Sequence, residues 1–173
     1  LQLTLAVNPG ENNLDTDGDG VKDTGLADTR SAAVTWKQND WYAAVAYDGH
    51  QPNLKALDGF THANISRAVF QVKPGPCELC ALVQVAKSTE PGNDGKDSSW
   101  LLSAAWNIDL VKLKAQYGQT KADVSGETLS LASLGVDYRL SKQVTSYVYG
   151  TRAERELADT TDNRFGVGLV LSF

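Results

Sequence analysis

The chain has 173 residues, of which 42% are apolar and 21% are charged, and its formal net charge is −5. These fractions are close to globular averages, which excludes intrinsic disorder for the chain as a whole. No apolar run approaches the ~18 residues that a membrane-spanning helix needs, and the balanced charge outside residues 9–28 offers no clustered basic face for nucleic acid.

Apolar and polar residues alternate along most of the chain with a period of two, which is typical of β-strands that have one apolar face. The recurrences at three and four residues that mark a helix are missing from these stretches. The pattern predicts an all-β chain with ten strand-like segments, at 1–8, 29–38, 41–48, 62–73, 79–88, 99–107, 111–121, 128–140, 144–154 and 163–173. Apolar residues fall in both registers of 62–73, 79–88 and 144–154, so the facing of these three segments stays open.

The connections between these segments alternate between short and long. The short ones are 39–40, 73–79, 107–110 and 141–143. The long ones are 9–28, 49–61, 89–98, 122–127 and 155–162. This asymmetry favours an antiparallel up-and-down sheet whose two ends face different environments, as in outer-membrane barrels with short periplasmic turns and longer extracellular loops.

The aromatic residues form two groups along the strands. Those close to the short turns are Trp36, Trp41, Trp106, Tyr138 and Phe173. Those towards the long loops are Tyr47, Trp100, Tyr117 and Phe165. Amphipathic rings favour the membrane–water boundary, so two aromatic levels that flank an apolar band predict a transmembrane β-barrel. Aromatic residues that pack the core of a soluble barrel are the alternative.

The first long connection is strongly acidic. Residues 9–28 hold six acidic residues and one lysine, and we interpret them as an acidic extracellular loop inserted in a single β-barrel domain that spans 1–173. Within this loop, carboxylates at alternate positions and a glycine at the sixth position match the start of a calcium loop. The ligands would be Asp15, Asp17, Asp19, the Val21 carbonyl and Asp23. The twelfth position is Leu26 instead of Glu, so an acidic surface loop without an ion is the alternative to Ca²⁺ binding.

Two cysteines and two histidines are the remaining candidates for chemistry. Cys77 and Cys80 provide half of a zinc site, so a local disulfide in an oxidising compartment is the simpler prediction, with free thiols as the alternative. His50 and His62 have Asp48 and Asp58 nearby, and an Asp–His pair can act as a general base. No nucleophile or oxyanion arrangement accompanies them, so we predict that the protein is not an enzyme and propose no catalytic residues.

Several segments resemble Gram-negative outer-membrane general porins. Residues 163–173 resemble the final strand of that family with its terminal aromatic residue, 134–142 and 145–150 are similar to its penultimate hairpin, and 41–47 is similar to a porin strand. The resemblance implies a homotrimer of sixteen-stranded barrels, each a water-filled channel that is narrowed by an inward-folded loop after an early strand. Because about ten strands are present, we expect the chain to be the C-terminal part of such a barrel, with the first strands and the constriction loop preceding Leu1.

The polar faces of the strands supply candidate pore-lining residues. These are Lys37, Asp48, Arg67, Lys112, Lys114, Asp137, Arg139, Arg152 and Arg164, of which Arg67 and Arg152 lie on segments with open facing. Charged rings that line a wet pore bias which ions enter through their summed field. Since this set is mildly cationic, it predicts a weak preference for anions.

The sequence therefore predicts passive diffusion of small hydrophilic solutes and ions across a bacterial outer membrane, with outer-membrane lipid as the surroundings and no nucleic-acid partner. The second hypothesis is a soluble or cell-surface β-domain that is stabilised by calcium and binds a partner. Dependence on detergent distinguishes the two.

Overall fold

The computed structural model describes residues 1–8, 29–51, 54 and 56–172, which form ten β-strands. In chain order these are β1 (Gln2–Asn8), β2 (Thr29–Gln38), β3 (Trp41–Gln51), β4 (Ala63–Val72), β5 (Cys77–Ser88), β6 (Lys96–Ile108), β7 (Val111–Ala122), β8 (Thr128–Arg139), β9 (Val144–Arg155) and β10 (Thr160–Leu171). Among the described residues, no helix is long and apolar enough to cross a membrane.

The ten strands form one sheet in which every strand pairs with its neighbours in sequence order. All nine pairings are antiparallel. The prediction of an all-β, antiparallel up-and-down chain is therefore confirmed. β1 and β10 each pair with a single strand, so the sheet formed by the described residues has two open edges and corresponds to part of a barrel wall.

Short connections gather at one end of the sheet, which we call the short-turn end. They are 39–40, 73–76, 109–110 and 140–143. Asn39 and Asp109 have φ angles of 51° and 50°, and Asn and Asp tolerate this left-handed conformation better than most residues do. Their side chains explain why two residues suffice to reverse the chain at these positions.

The opposite end, which we call the long-loop end, holds the other five connections. One of them differs from the sequence prediction. The chain turns at 156–159 instead of running through a long loop at 155–162, because Thr160, Thr161 and Asp162 extend β10 by pairing with Arg155, Glu154 and Ala153. The polar composition of 155–162 suggested a loop. Strand pairing uses backbone groups, however, so polar residues can extend a strand as well as apolar residues do.

The pairing register divides the strand residues between two faces. One face carries Trp100, Leu102 and Trp106 of β6 together with the residues that pair with them, and we call it the outer face. It is strongly exposed: Phe165 is 86% exposed and Leu134 is 70% exposed. The other face carries Ser99, Ser103 and their pairing partners, and we call it the inner face.

The aromatic residues predicted to form two levels all lie on the outer face, apart from Phe173, which is outside the described residues. Two ring pairs connect neighbouring strands there. Trp41 lies 5.6 Å from Phe70, and Trp100 lies 5.5 Å from Tyr117, measured between ring centroids. The outer face therefore combines exposed aliphatic residues with aromatic pairs, as the alternation predicted.

A small buried apolar cluster lies on the inner face at the long-loop end. Phe60 and Ala63 are fully buried, and they pack with Ile65 and Ala86. Ile65 and Ala86 pair with each other across β4 and β5, while Phe60 comes from the connection between β3 and β4. That connection thus folds over the inner face.

Candidate pore lining

Eight of the nine candidate pore-lining residues lie on the inner face. They are Lys37, Asp48, Arg67, Lys112, Lys114, Asp137, Arg139 and Arg164. They come from six different strands, and alternation within each strand directs them to the same side because paired residues share a face.

Arg152 is the exception and is corrected to the outer face. It shares that face with Val148, and its guanidinium contacts the Glu154 carboxylate. The inner face of β9 instead carries Tyr147 and Tyr149, whose stacked rings lie 6.3 Å apart. Apolar side chains occur on both faces of β9, so its periodicity is ambiguous. Only the pairing with β8 decides which residues of β9 face inward.

Basic and acidic side chains contact each other at two places on the inner face. Glu78 accepts a hydrogen bond from Lys112 Nζ at 2.9 Å and lies 3.6 Å from Lys73 Nζ. Lys114 Nζ lies 2.6 Å from Asp137 Oδ1, so the predicted opposition of Asp137 to the inner-face lysines is present. These contacts join β5 to β7 and β7 to β8 through side chains as well as through the backbone.

Other basic groups of the inner face are held by polar partners or extend freely. Arg67 Nε donates to Gln84 Oε1 at 2.8 Å, and Arg164 donates to Asp162 Oδ2 at 2.6 Å. Among the described residues, Lys37, Arg139 and Asp48 make no ion pair. Their charges are therefore not compensated by an ion-pair partner in the described part of the chain.

The inner face encloses a hollow with a volume of about 410 Å³, and Lys114 is one of its charged lining residues. Its lining comes from six consecutive strands, β4 to β9, and includes Gln71, Glu78, Lys112, Gln116, Ser133 and Thr151. Ser133 and Thr151 share a hydrogen bond of 3.0 Å between their hydroxyl oxygens. A hollow that extends over six strands shows that the inner face is concave and polar.

Four further charged residues lie on this face and were not among the predicted lining residues: Glu78, Asp97, Arg155 and Asp162. Glu78 was placed in a turn, whereas β5 begins at Cys77. Local alternation did not reveal its direction, because apolar residues occupy both faces of β5, and the pairing with β6 places it on the inner face. With these residues included, the strands bring seven basic and five acidic side chains to the inner face.

The predicted disulfide between Cys77 and Cys80 is absent, since both cysteines are free. Three positions apart in one strand, the two side chains point to opposite faces: Cys77 pairs with outer-face Trp106, and Cys80 pairs with inner-face Ser103. The prediction placed Cys77 in a turn and Cys80 in the strand that follows it, and the extension of β5 to Cys77 removes the turn that a disulfide would close.

The segment that folds over the inner face is held by backbone hydrogen bonds to carboxylates. Asp58 accepts from Val124 N at 3.0 Å, from Ser125 N at 2.8 Å and from Lys96 N at 3.3 Å. Desolvation raises the pKa of the Asp58 carboxyl, but these hydrogen bonds together outweigh it and hold the pKa below its usual value. Asp58 thus connects three loops at the long-loop end.

Glu90 anchors the other side of the same segment. Its Oε1 accepts from Thr61 Oγ1 and Thr61 N at 2.7 Å each, and from His62 N at 3.1 Å. The side-chain bond from Thr61, followed by the backbone bonds, lowers the pKa of Glu90 to about 2. His62 Nδ1 lies 2.9 Å from Thr61 Oγ1, so the structure places this histidine in a loop anchor with Glu90.

Two sequence expectations concern loops. The calcium ligands predicted at 15–23 and the 9–28 insertion lie outside the described residues, so they stay predictions. The constriction loop implied by the porin resemblance likewise stays a prediction, and residues 54 and 56–61 form a separate segment that folds over the inner face.

The described geometry has relatives among proteins of known structure. An anion-selective porin from Comamonas acidovorans matches with a TM-score of 0.74 and 17% identity over 98% of this chain and 54% of that chain. A loop L8 deletion mutant of OmpT, an outer membrane protein of Vibrio cholerae, matches with a TM-score of 0.60 and 17% identity, over 83% of this chain and 53% of that chain. A trimer form of in-vitro folded OmpT matches with a TM-score of 0.58 and 16% identity, over 83% of this chain and 55% of that chain.

These likenesses concern the fold, and the chain spans about half the length of the structures it matches. No curated protein matches the chain. A family profile described as Gram-negative porin matches residues 1–158. The profile and the outer membrane proteins among the structural neighbours support the predicted location in the outer membrane. Because the match covers most of its length, the chain belongs to the Gram-negative porin family.

Proposed function

We propose that the chain forms part of the wall of a channel through which small hydrophilic solutes and ions diffuse across the outer membrane. The observation that carries this proposal is the division of one sheet into an exposed apolar outer face and a concave, charged inner face. Such a sheet satisfies its backbone groups between strands, presents hydrocarbon to lipid and keeps water inside. Transport of this kind involves no chemical step.

We further infer a weak preference for anions. Seven basic side chains against five acidic ones give the inner face a small positive excess, and the summed field of a pore wall biases which ions enter. Anion selectivity is also the named property of the Comamonas porin with a similar fold. The segment formed by residues 54 and 56–61, which folds over the inner face, narrows the long-loop end of the channel in this proposal.

Assembly into a homotrimer is part of the same proposal. A trimer form exists for the Vibrio outer membrane protein with a similar fold, and the apolar outer face offers area for contact with other copies as well as with lipid. Chemical crosslinking in detergent, read as the mass of the largest folded species, tests it.

The channel proposal is tested by reconstituting the protein in planar bilayers and measuring reversal potentials in a salt gradient. We expect conductance steps and a potential whose sign indicates anion preference. Two variants with matched chemistry locate the pore: Arg164→Gln on the inner face and Arg152→Gln on the outer face each lose an arginine that is bonded to a carboxylate two residues away. Only Arg164→Gln should reduce the anion preference. Cation selectivity, or equal effects of both variants, contradicts the assigned wall.

A further inference from the structure

Three lysines lie close together on the outer face near the long-loop end. They come from consecutive strands: Lys87 from β5, Lys96 from β6 and Lys121 from β7. Lys87 pairs directly with Lys96, and Lys121 pairs with Ser98, the next outer-face residue of β6. We call these three residues the lysine cluster.

The lysine cluster has an excess of positive charge. Lys96 Nζ lies 3.0 Å from Asp123 Oδ2, whereas neither Lys87 nor Lys121 has an ion-pair partner among the residues that the structure describes. Like charges that face each other directly across two strands destabilise a sheet. The pairing of Lys87 with Lys96 is therefore unfavourable until an anion lies between them or beside them.

The position of the lysine cluster along the strands, beyond the apolar part of the outer face, indicates which kind of anion it meets. Lys96 lies four residues beyond Trp100, and Lys121 lies four residues beyond Tyr117, both towards the long-loop end. Four residues span about 13 Å along a strand, or roughly 10 Å vertically after the tilt of a barrel strand. Aromatic rings mark the membrane–water boundary, so the ammonium groups lie at the level of lipid headgroups.

We propose that the lysine cluster binds the phosphate groups of lipid headgroups in the leaflet that surrounds the long-loop end. The inference rests on the proposed function, because the membrane position of the outer face defines this level. A phosphorylated lipid fits both parts of the surface: its acyl chains lie on the apolar outer face below the cluster, and its phosphate meets the lysines above. A free anion would use only the second part.

Native mass spectrometry of the detergent-solubilised protein tests this proposal, with phosphatidic acid as the probe and phosphatidylcholine of the same acyl chains as the neutral comparison. We expect the protein to retain phosphatidic acid preferentially. The double variant Lys87→Gln, Lys121→Gln should weaken retention by about fivefold per lysine, the effect of one basic residue near an anionic surface. The variant Lys87→Arg, Lys121→Arg should keep retention, since it preserves both charges.

The matched control removes the same number of charges from the inner face, as Lys112→Gln, Lys114→Gln. Equal losses in the two glutamine variants, or no preference for phosphatidic acid in the wild-type protein, overturns the proposal. Displacement of the lipid by equimolar inorganic phosphate also overturns it, because the cluster would then be a site for free phosphate.

Channel recordings on the same proteins separate this proposal from the proposed function. The variant Lys87→Gln, Lys121→Gln should form channels of unchanged conductance. Normal channels without lysine-dependent lipid retention contradict the lysine cluster alone. A wild-type protein that retains phosphatidic acid through these lysines but forms no channel contradicts the proposed function alone.

Discussion

Glu78 shows how a single carboxylate sets the charge of the inner face. It contacts Lys112 and lies close to Lys73, so the field of two basic groups is reduced by one acid. The sequence pattern predicts a turn at Glu78, and its position on the inner face follows only from the pairing of β5 with β6.

We therefore expect Glu78→Gln to increase the preference for anions. A unit charge about 10 Å from an ion in water contributes about 0.4 kcal/mol, which corresponds to roughly a twofold change in relative permeability. Reversal potentials in a salt gradient measure this ratio. Glu154→Gln is the control, because Glu154 pairs with an arginine on the outer face and should leave the ratio unchanged. A shift towards cations in Glu78→Gln would refute the assignment.

Cys80 offers a second test at the scale of one residue. Its thiol is free, lies on the inner face and lines the hollow, whereas Cys77 lies on the outer face of the same strand. A cationic methanethiosulfonate reagent added without reductant should attach to Cys80 and reduce the single-channel conductance. Cys77→Ser should keep this response and Cys80→Ser should abolish it. An unchanged conductance after treatment of the wild-type protein would contradict the position of Cys80 in the channel lining.

At the scale of strands, close approach of backbones restricts which residues fit the inner face. A Cβ atom added to Gly118 of β7 would lie 2.8 Å from the carbonyl oxygen of Trp100 and 3.0 Å from Leu101 Cδ1. The carbonyl belongs to the paired backbone of β6 and has little freedom to move. Gly135 of β8, on the same face, has ordinary space, with nearest atoms at 3.5 Å.

Gly118→Ala should therefore destabilise the folded state by about 1–3 kcal/mol, the usual cost of forcing an extra methyl group into a packed site. Gly135→Ala should cost much less. Equilibrium unfolding by urea in lipid vesicles, followed by tryptophan fluorescence, measures both variants. Equal stability of the two variants would show that β6 and β7 can move apart at this position to accommodate the methyl group.

The inward-folded segment should respond to acid. The pKa of Glu90 is lowered to about 2 and that of Asp58 is lowered as well, so both carboxylates favour the folded segment when they are ionised. A lowered folded-state pKa gives stabilisation that is complete above the unfolded value and disappears as the pH falls through the folded value. For Glu90 this window extends from about pH 4.5 down to about pH 2.

Hydrogen-exchange protection of the Thr61 and His62 amides, corrected for intrinsic rates, should therefore decline across that window. In Glu90→Gln the same amides should be less protected at neutral pH and should vary little with acid. Protection that stays constant down to pH 2 in the wild-type protein would mean that the segment is held by its apolar contacts around Phe60 alone.

At the scale of the whole molecule, the outer face decides between a membrane wall and a soluble domain. Its large apolar side chains are exposed along every strand, with Val167 at 82% and Leu5 at 71%. Soluble monomers rarely expose contiguous apolar patches larger than a few hundred Å². The soluble, calcium-stabilised domain would need a cover for this surface.

We expect the folded protein to stay monodisperse only in detergent or lipid, and to aggregate when detergent is diluted below its micelle concentration. Light scattering during dilution measures this. A sample that stays monodisperse in plain buffer, with or without added Ca²⁺, would favour the soluble alternative and remove the basis of the channel.

The sequence alone determined where most strands lie and how their residues alternate. Successive side chains of a strand point to opposite faces, so this pattern is visible in each short stretch of sequence. Residues 29–38 and 111–121 illustrate this: their bounds agree with β2 and, within one residue, with β7. The alternation also assigned seven inner-face residues before any strand was paired with another, whereas the facing of Arg67 followed only from the pairing of β4 with β5.

Tertiary structure alone decided what depends on neighbouring strands and loops. The inward direction of Glu78 and the outward direction of Arg152 follow from hydrogen-bond register with β6 and β8, because apolar residues on both faces of β5 and β9 leave local periodicity without a preference. The bond from Val124 to Asp58 joins residues 66 positions apart. No local pattern carries such a contact, since it depends on where separate loops meet at the end of a curved sheet.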